Sequence, residues 1–281
     1  MSLFALQLRG ELLKLFARKR TYIGFGAFLL AEVLFLGILS LERVRGSIRR
    51  VIENSGYPAD EYLSGLTLAL FILLWTVFLL GALYLALVAG DVVGKEVEDG
   101  TLRLMLCRPV SRGRVLAVKA VATAIYSVAL TLFIAISALL AGFLHSGFGS
   151  LFVFAPTEGI FAMHEFGPGL ARYALATVVL SVCLLTIPAV GFFFSCCEMK
   201  PAAATILTLS FFFLDTILKN IPYFESLRAF FITARMSAWA RIFEFRIPWS
   251  RIAEDLVWLG VVNATLLVAA LVIFEHRDFK T

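Results

Sequence analysis

Charge is scarce in this sequence of 281 residues: charged residues make up 16% of it, against about a quarter in soluble globular domains. That shortage excludes a solvated surface around the whole chain, and with hydrophobic residues at 60% the excess has to lie in lipid. Cysteine is also sparse. Cys107, Cys183, Cys196 and Cys197 form no metal-type pair, and three of them lie in or beside apolar runs, which argues against a disulfide framework. A phosphate-cradling loop is missing as well, since it requires G-x-x-x-x-G-K-[ST] after a strand. The nearest approach, Gly94-Lys95, has Ala89 in place of the first glycine and Glu96 in place of the hydroxyl residue. The chain is therefore not expected to hydrolyse ATP by itself. No H-E-x-x-H, no G-x-S-x-G and no intramembrane pair of carboxylates at helical spacing is present, so an integral lipid-modifying transferase or hydrolase, the competing class of function, lacks its chemistry. His145, Glu158, His164 and Glu165 share one loop, but their spacing matches no metal-ligand pattern. The net charge of +5 comes from residues that flank apolar segments, which fits anionic headgroups better than nucleic acid.

What is present is apolar sequence in blocks long enough to cross a hydrocarbon core about 30 Å thick. Six spans are predicted, at residues 22–41, 63–90, 115–144, 170–195, 202–218 and 256–274. Their continuity favours helices over barrel strands, which alternate, so the expected fold is an all-α polytopic membrane protein forming one domain over residues 1–281. The second and third blocks exceed the minimum and should tilt or project. The first block is too long for a signal-peptide core and has no small-residue cleavage pattern after it; it is read as a retained helix.

Residues 3 to 16 carry an apolar stripe at Phe4, Leu8, Leu12, Leu15 and Phe16, with Arg9, Glu11 and Lys14 elsewhere. This is the spacing of an interfacial amphipathic helix, followed by Arg18, Lys19 and Arg20 at headgroup depth. With the N-terminus inside, inner segments hold fourteen basic residues and outer ones eleven, a weak bias in the expected direction. Residues 219 to 255 interleave aromatic and basic residues and predict one or two short amphipathic helices lying on or dipping into the outer leaflet.

Between the second and third spans, residues 91–112 form the most distinctive segment. Lys95, Glu96, Glu98 and Asp99 end the second helix in charge, Gly100 permits a sharp turn and Thr101 can cap the next helix. Leu102, Leu104, Met105 and Leu106 supply apolar knobs, Pro109 stops that short helix, Ser111 can cap the third span, and Arg112, Arg114 and Lys119 hold it at the surface. From the residues alone, a stiff knobbed helix for a soluble partner and an ordinary well-capped loop are both open.

Residues 96 to 112, E-V-E-D-G-T-L-R-L-M-L-C-R-P-V-S-R, resemble the signature of the ABC type-2 permease family. Glu96, Glu98, Gly100, Thr101, Leu102, Leu106, Pro109, Val110, Ser111, Arg112 and Lys119 match in register. The order of segments along the whole chain is similar too. The resemblance implies that residues 96 to 110 include a coupling helix docking on a separate ABC ATPase subunit, which would bind ATP and Mg. It further implies two ATPase copies, a second permease copy or related permease, usually export, and a place in the inner membrane of a prokaryote with both termini cytosolic. A permease-like subunit that transmits force without moving a solute is left open. No cofactor is expected in this chain itself; membrane lipids are expected partners.

Glu32 lies about halfway along the first span, where an ionised carboxylate is costly; transport pathway and buried hydrogen bond are both open. Asp215 and Lys219 sit four apart and can pair along their helix, or Asp215 can belong to an external gate. Pro188 is expected to kink or locally unwind the fourth span.

Overall fold

A computed structural model describes residues 3–54, 56, 58–102, 111–155 and 159–276. Among them six helices are long and apolar enough to cross a membrane by length and composition, and the protein is an all-α polytopic membrane protein. In chain order the helices are α1 (Leu3–Ala17), α2 (Lys19–Ser40) and α3 (Glu42–Asn54), then α4 (Gly65–Glu98), α5 (Arg112–Ser146), α6 (Phe166–Cys196), α7 (Pro201–Asn220) and α8 (Trp249–His276). All but α1 and α3 are the spans, one for each apolar block. We call the end of the bundle where α4 leads to residue 100 the motif end, and the opposite one the hairpin end.

Close contacts set the register of the bundle. Cβ atoms at Gly65 and Gly142 would stand 2.5 Å from Gly142 O and 2.2 Å from Gly65 O, so α4 and α5 run antiparallel with their backbones in contact at the hairpin end. Gly169 lies against Leu66, and Gly191 against Ala89; α4 and α6 therefore run parallel, residue for residue. Gly90 and Gly94 take Thr205 and Pro201 of α7. This antiparallel register ends α7 level with Trp75, short of the hairpin end of α4.

At the other extreme, α2 starts beside Tyr84, whose hydroxyl donates to Arg20 O at 3.2 Å, and beside Tyr126, which packs on Phe25. Both tyrosines lie fourteen residues inside their helices, counted from Glu98 and Arg112. Thus α4 and α5 extend past α2 by about 21 Å at the motif end. α1 packs against that extension, with Phe16 on Tyr126 at 5.0 Å between ring centroids.

The loop expected between the third and fourth spans contains a hairpin. β1 (Leu151–Ala155) pairs antiparallel with β2 (Ile160–His164), Leu151 opposite His164 and Ala155 opposite Ile160. Its β-branched and aromatic residues suit a half-buried pleat: Phe152 is buried with Ile52, Ala59 and Leu63, while Phe154 and Phe161 point outward. The start of α4 holds it in place, Ser64 Oγ donating to Ser150 O (2.6 Å) and Phe152 N to Thr67 Oγ1 (2.8 Å).

Residues 219–255 form two 3₁₀ helices, Pro222–Phe230 and Met236–Phe243, joined by one α-helical turn, Ile232–Arg235. The first has no buried residue and exposes Tyr223, Leu227 and Phe230. The second buries Ala238, Trp239, Ala240, Ile242 and Phe243 and fills the space beside α6 that α7, ending early, leaves open.

Candidate functional site

At the motif end, helix-ending charges meet in the interior of the bundle. Lys119, 2% exposed, lies on α5 with Nζ 2.7 Å from Glu96 Oε2 and 3.2 Å from Glu11 Oε2. The first contact is ionic without the direction of a good hydrogen bond, since Glu96 Oε2 has no hydrogen-bond partner. Lys14 pairs with the other Glu96 oxygen and stands 3.6 Å from Glu11 Oε1. One turn nearer α2, Arg20 pairs with buried Asp91. Lys119, Lys14, Glu96 and Glu11, from three helices, thus form a neutral cluster with the Arg20–Asp91 pair beside it. Removing one member would leave uncompensated charge in low dielectric, at about 3–5 kcal/mol.

This cluster closes the base of the segment between α4 and α5. Glu98 is the last residue of α4, and Gly100 turns the chain at φ +70, a left-handed conformation that glycine adopts at no steric cost. Thr101 Oγ1 donates back to Glu96 O at 3.3 Å. Leu102 is 1% exposed in the main core. Ser111 occupies the N-cap position of α5 with its carbonyl accepting from Arg114 N and Val115 N, and its hydroxyl makes no cap bond. Arg112 Nη1 donates to Glu275 O at 2.9 Å, joining the first turn of α5 to the last carbonyls of α8, where a cation is favoured. Met105, Leu106 and Pro109 lie outside the described residues.

Sequence reasoning missed Glu11, Lys14, Arg20 and Asp91. The signal was present for Glu11: it follows Leu8 by three and precedes Leu15 by four, so it lies on the apolar stripe and not opposite it. Leu8, Leu12 and Phe16 of that stripe pack on the bundle core, whereas Leu3, Leu6 and Leu13 are exposed.

The other candidates lie elsewhere. Glu32, 2% exposed, accepts from Ser137 Oγ at 2.7 Å between α2 and α5. Asp215 receives Ile232 N (3.3 Å), Thr233 N (2.7 Å) and Thr233 Oγ1 (2.6 Å), capping the turn that leads into the second 3₁₀ helix; Lys219 Nζ donates to Thr233 O nearby. That 3₁₀ helix is pinned from two further sides. Arg172 donates to the carbonyls of Ile242, Glu244 and Phe245, and Asp255, 1% exposed, takes Arg241 and Arg235, the latter at 2.6 Å. Asp255 holds the Arg235 guanidinium above its ordinary pKa.

Of the loop residues weighed for metal, His145 Nε2 meets Ser40 Oγ at 2.9 Å and His164 Nε2 meets Phe243 O at 3.0 Å. Glu165 precedes α6, its carbonyl accepting from Gly169 N, and Glu158 lies outside the described residues. Among the described residues no three acidic, histidine or cysteine groups gather around a common point. Between α4, α6, α7 and the second 3₁₀ helix lies an apolar cavity of about 640 Å³, walled by Trp75, Phe78, Phe212 and Trp239 and edged by Lys219 and Asn220.

A family model described as ABC-2 family transporter protein matches residues 7–215, about three quarters of the chain and all of the charged cluster. The chain belongs to the ABC-2 transporter family. It is a membrane-embedded permease of that family, and association with an ATP-binding subunit goes with membership. No curated protein matches it. Within the ABC-2 match lie both flanks of the distinctive segment, the Glu96 and Lys119 that join them, and α1 from residue 7 on, while the second 3₁₀ helix and α8 come after it.

Proposed function

We propose that this ABC-2 permease is the transmembrane subunit of an ATP-driven exporter, coupled through residues 96–112 to a separate ATPase that binds ATP and Mg. A second permease copy and two ATPase copies complete the assembly, in a prokaryotic inner membrane with the motif end and both termini in the cytosol. One observation supports the reading: the chain leaves α4 and enters α5 over a buried ion pair, Glu96 with Lys119, which α1 braces through Glu11 and Lys14. A partner pressing on the segment beyond Gly100 therefore pushes two long helices together. ATP binding does useful work only if the partner holds the inward and outward arrangements with different affinity, and a stiff base prevents that difference from dissipating locally.

The test is co-purification of the permease with the ATPase encoded beside it. Glu98→Ala with Gly100→Val is expected to leave the permease folded and to lower, by tenfold or more, either recovery of the ATPase or its permease-dependent hydrolysis. Full assembly and unchanged hydrolysis in that variant would remove the coupling role from this segment.

A further inference from the structure

Two helix irregularities stand side by side in this protein. α4 contains a π-helical turn over Val77–Gly81, a widened turn that occurs frequently at functional positions. α6 is interrupted at Leu185, whose N–H bonds to Val182 O in a tightened turn; three residues on, Pro188 has no N–H to offer Leu184 O. Gly169 against Leu66 and Gly191 against Ala89 put α4 and α6 in one parallel register. In that register the π turn ends where the interruption begins.

The helices are joined differently on either side of this level. Toward the motif end, Ser195, fully buried at the end of α6, inserts its hydroxyl into the backbone of α4. It donates to Gly90 O (2.7 Å) and accepts from Gly94 N (2.9 Å) and Val93 N (3.2 Å). Gly90 and Gly94 at the same place let α7 touch α4 through Thr205 and Pro201. Just past this level toward the hairpin end the apolar cavity opens beside the two helices, lined by Val77, Phe78, Ala82 and by Leu184, Ile187, before they meet again where Gly169 lies against Leu66. Thr76 and Thr186, bordering the two irregularities, have buried hydroxyls without a hydrogen-bond partner, although Thr177, Thr205 and Thr208 bond their own helices in the usual way.

We infer that Ser195 is a positioning residue that makes the motif-end halves of α4 and α6, with the start of α7, one rigid body, and that this body swings about a hinge at Val77–Gly81 and Leu184–Thr186. A push at the segment beyond Gly100 then changes the cavity wall without bending either half. The swing rests on the coupling reading above; the existence of the hinge does not.

Spin-label pairs Lys95→Cys/Ala174→Cys and Glu198→Cys/Ala174→Cys, in a background with Cys107, Cys183, Cys196 and Cys197 replaced by alanine, report the motif-end parts of α4 and α6 against the hairpin-end half of α6. In the complex with its ATPase, exchange of ADP for ATP and Mg is expected to shift both distances together, by several ångströms. In Ser195→Ala the Lys95 pair alone should shift, with ATPase assembly and melting temperature retained; Ser195→Thr, which keeps the hydroxyl, should preserve the joint shift if it melts as the parent does. A wild-type complex in which only one pair moves, or neither, overturns the inference. Hydrogen exchange on the permease alone covers the case in which no ATPase assembles: Val77–Gly81 and Leu184–Thr186 should exchange at least tenfold faster than the turns on both sides. Uniform protection there overturns the hinge, whereas failure of assembly by itself counts against the coupling reading only.

Discussion

Lys119 illustrates what one side chain decides in this protein. It is a long cation with 2% exposure, and its burial is tolerable because Glu96 and Glu11 approach from two other helices. Replacing it by Met keeps the volume and leaves two carboxylates facing each other with only Lys14 between them. We expect a loss of about 3–5 kcal/mol in denaturant unfolding in detergent. Adding Glu11→Gln to Lys119→Met should recover part of that loss, because one of the stranded charges is gone; an additive or larger loss would show that the cluster does not act as a unit.

His164 sits on β2 with Nε2 against Phe243 O, and burial, aided by the charge of Arg172, holds its pKa below the ordinary imidazole value. The folded state therefore binds this proton less readily than the unfolded chain. Its contribution is present above the ordinary range near pH 6.5 and is lost as pH falls toward the depressed folded value. The melting temperature should drop between about pH 7 and pH 5, and the drop should be smaller in His164→Gln. Equal pH profiles for the two proteins would contradict this account.

At the scale of elements, what joins the helices is largely the absence of side chains. Gly65 and Gly142 bring the backbones of α4 and α5 so close that a Cβ at Gly142 would lie 2.2 Å from a carbonyl oxygen, an approach that membrane helices use in place of hydrophobic driving force. Gly142→Ala should destabilise by about 1–3 kcal/mol, read as a lower melting temperature in detergent, while Gly26→Ala, where nothing lies within 4 Å, should be neutral. Equal effects of the two would mean that the contact is not a determinant of the bundle. The second 3₁₀ helix shows the opposite strategy. Carbonyls at its end accept from Arg172, backbone N–H groups of the turn before it donate to Asp215, and the guanidinium groups of Arg235 and Arg241 pair with Asp255, because backbone inside a bundle must find partners in protein. Sequence showed its aromatic and basic alternation, but not that one half turns inward.

Across the whole molecule, the six spans and the all-α class were legible because lipid imposes a length and composition that no other fold shares. The turn at Gly100 was legible because only one residue type adopts φ +70 there without strain. The charged cluster was legible in part. Glu96 and Lys119 stood within the family-like signature, whereas Glu11, Lys14, Arg20 and Asp91 come from segments up to 108 positions away, and pairing across such distances has no local signal. The hairpin at residues 151–164 was missed for a related reason. Two five-residue strands carry too little periodicity to outweigh the helical sequence around them, and the hairpin gains its stability by docking on Ser64 and Thr67.

Sequence alone thus determined that six segments are long and apolar enough to cross a membrane and where the chain turns between α4 and α5, since those features depend on transfer energy and backbone sterics summed over neighbours. Tertiary structure alone decided which charges meet, where α7 stops and which half of the 3₁₀ region is buried. Those outcomes depend on the register between helices, which glycine contacts such as Gly65–Gly142 set only after the chain has folded back on itself.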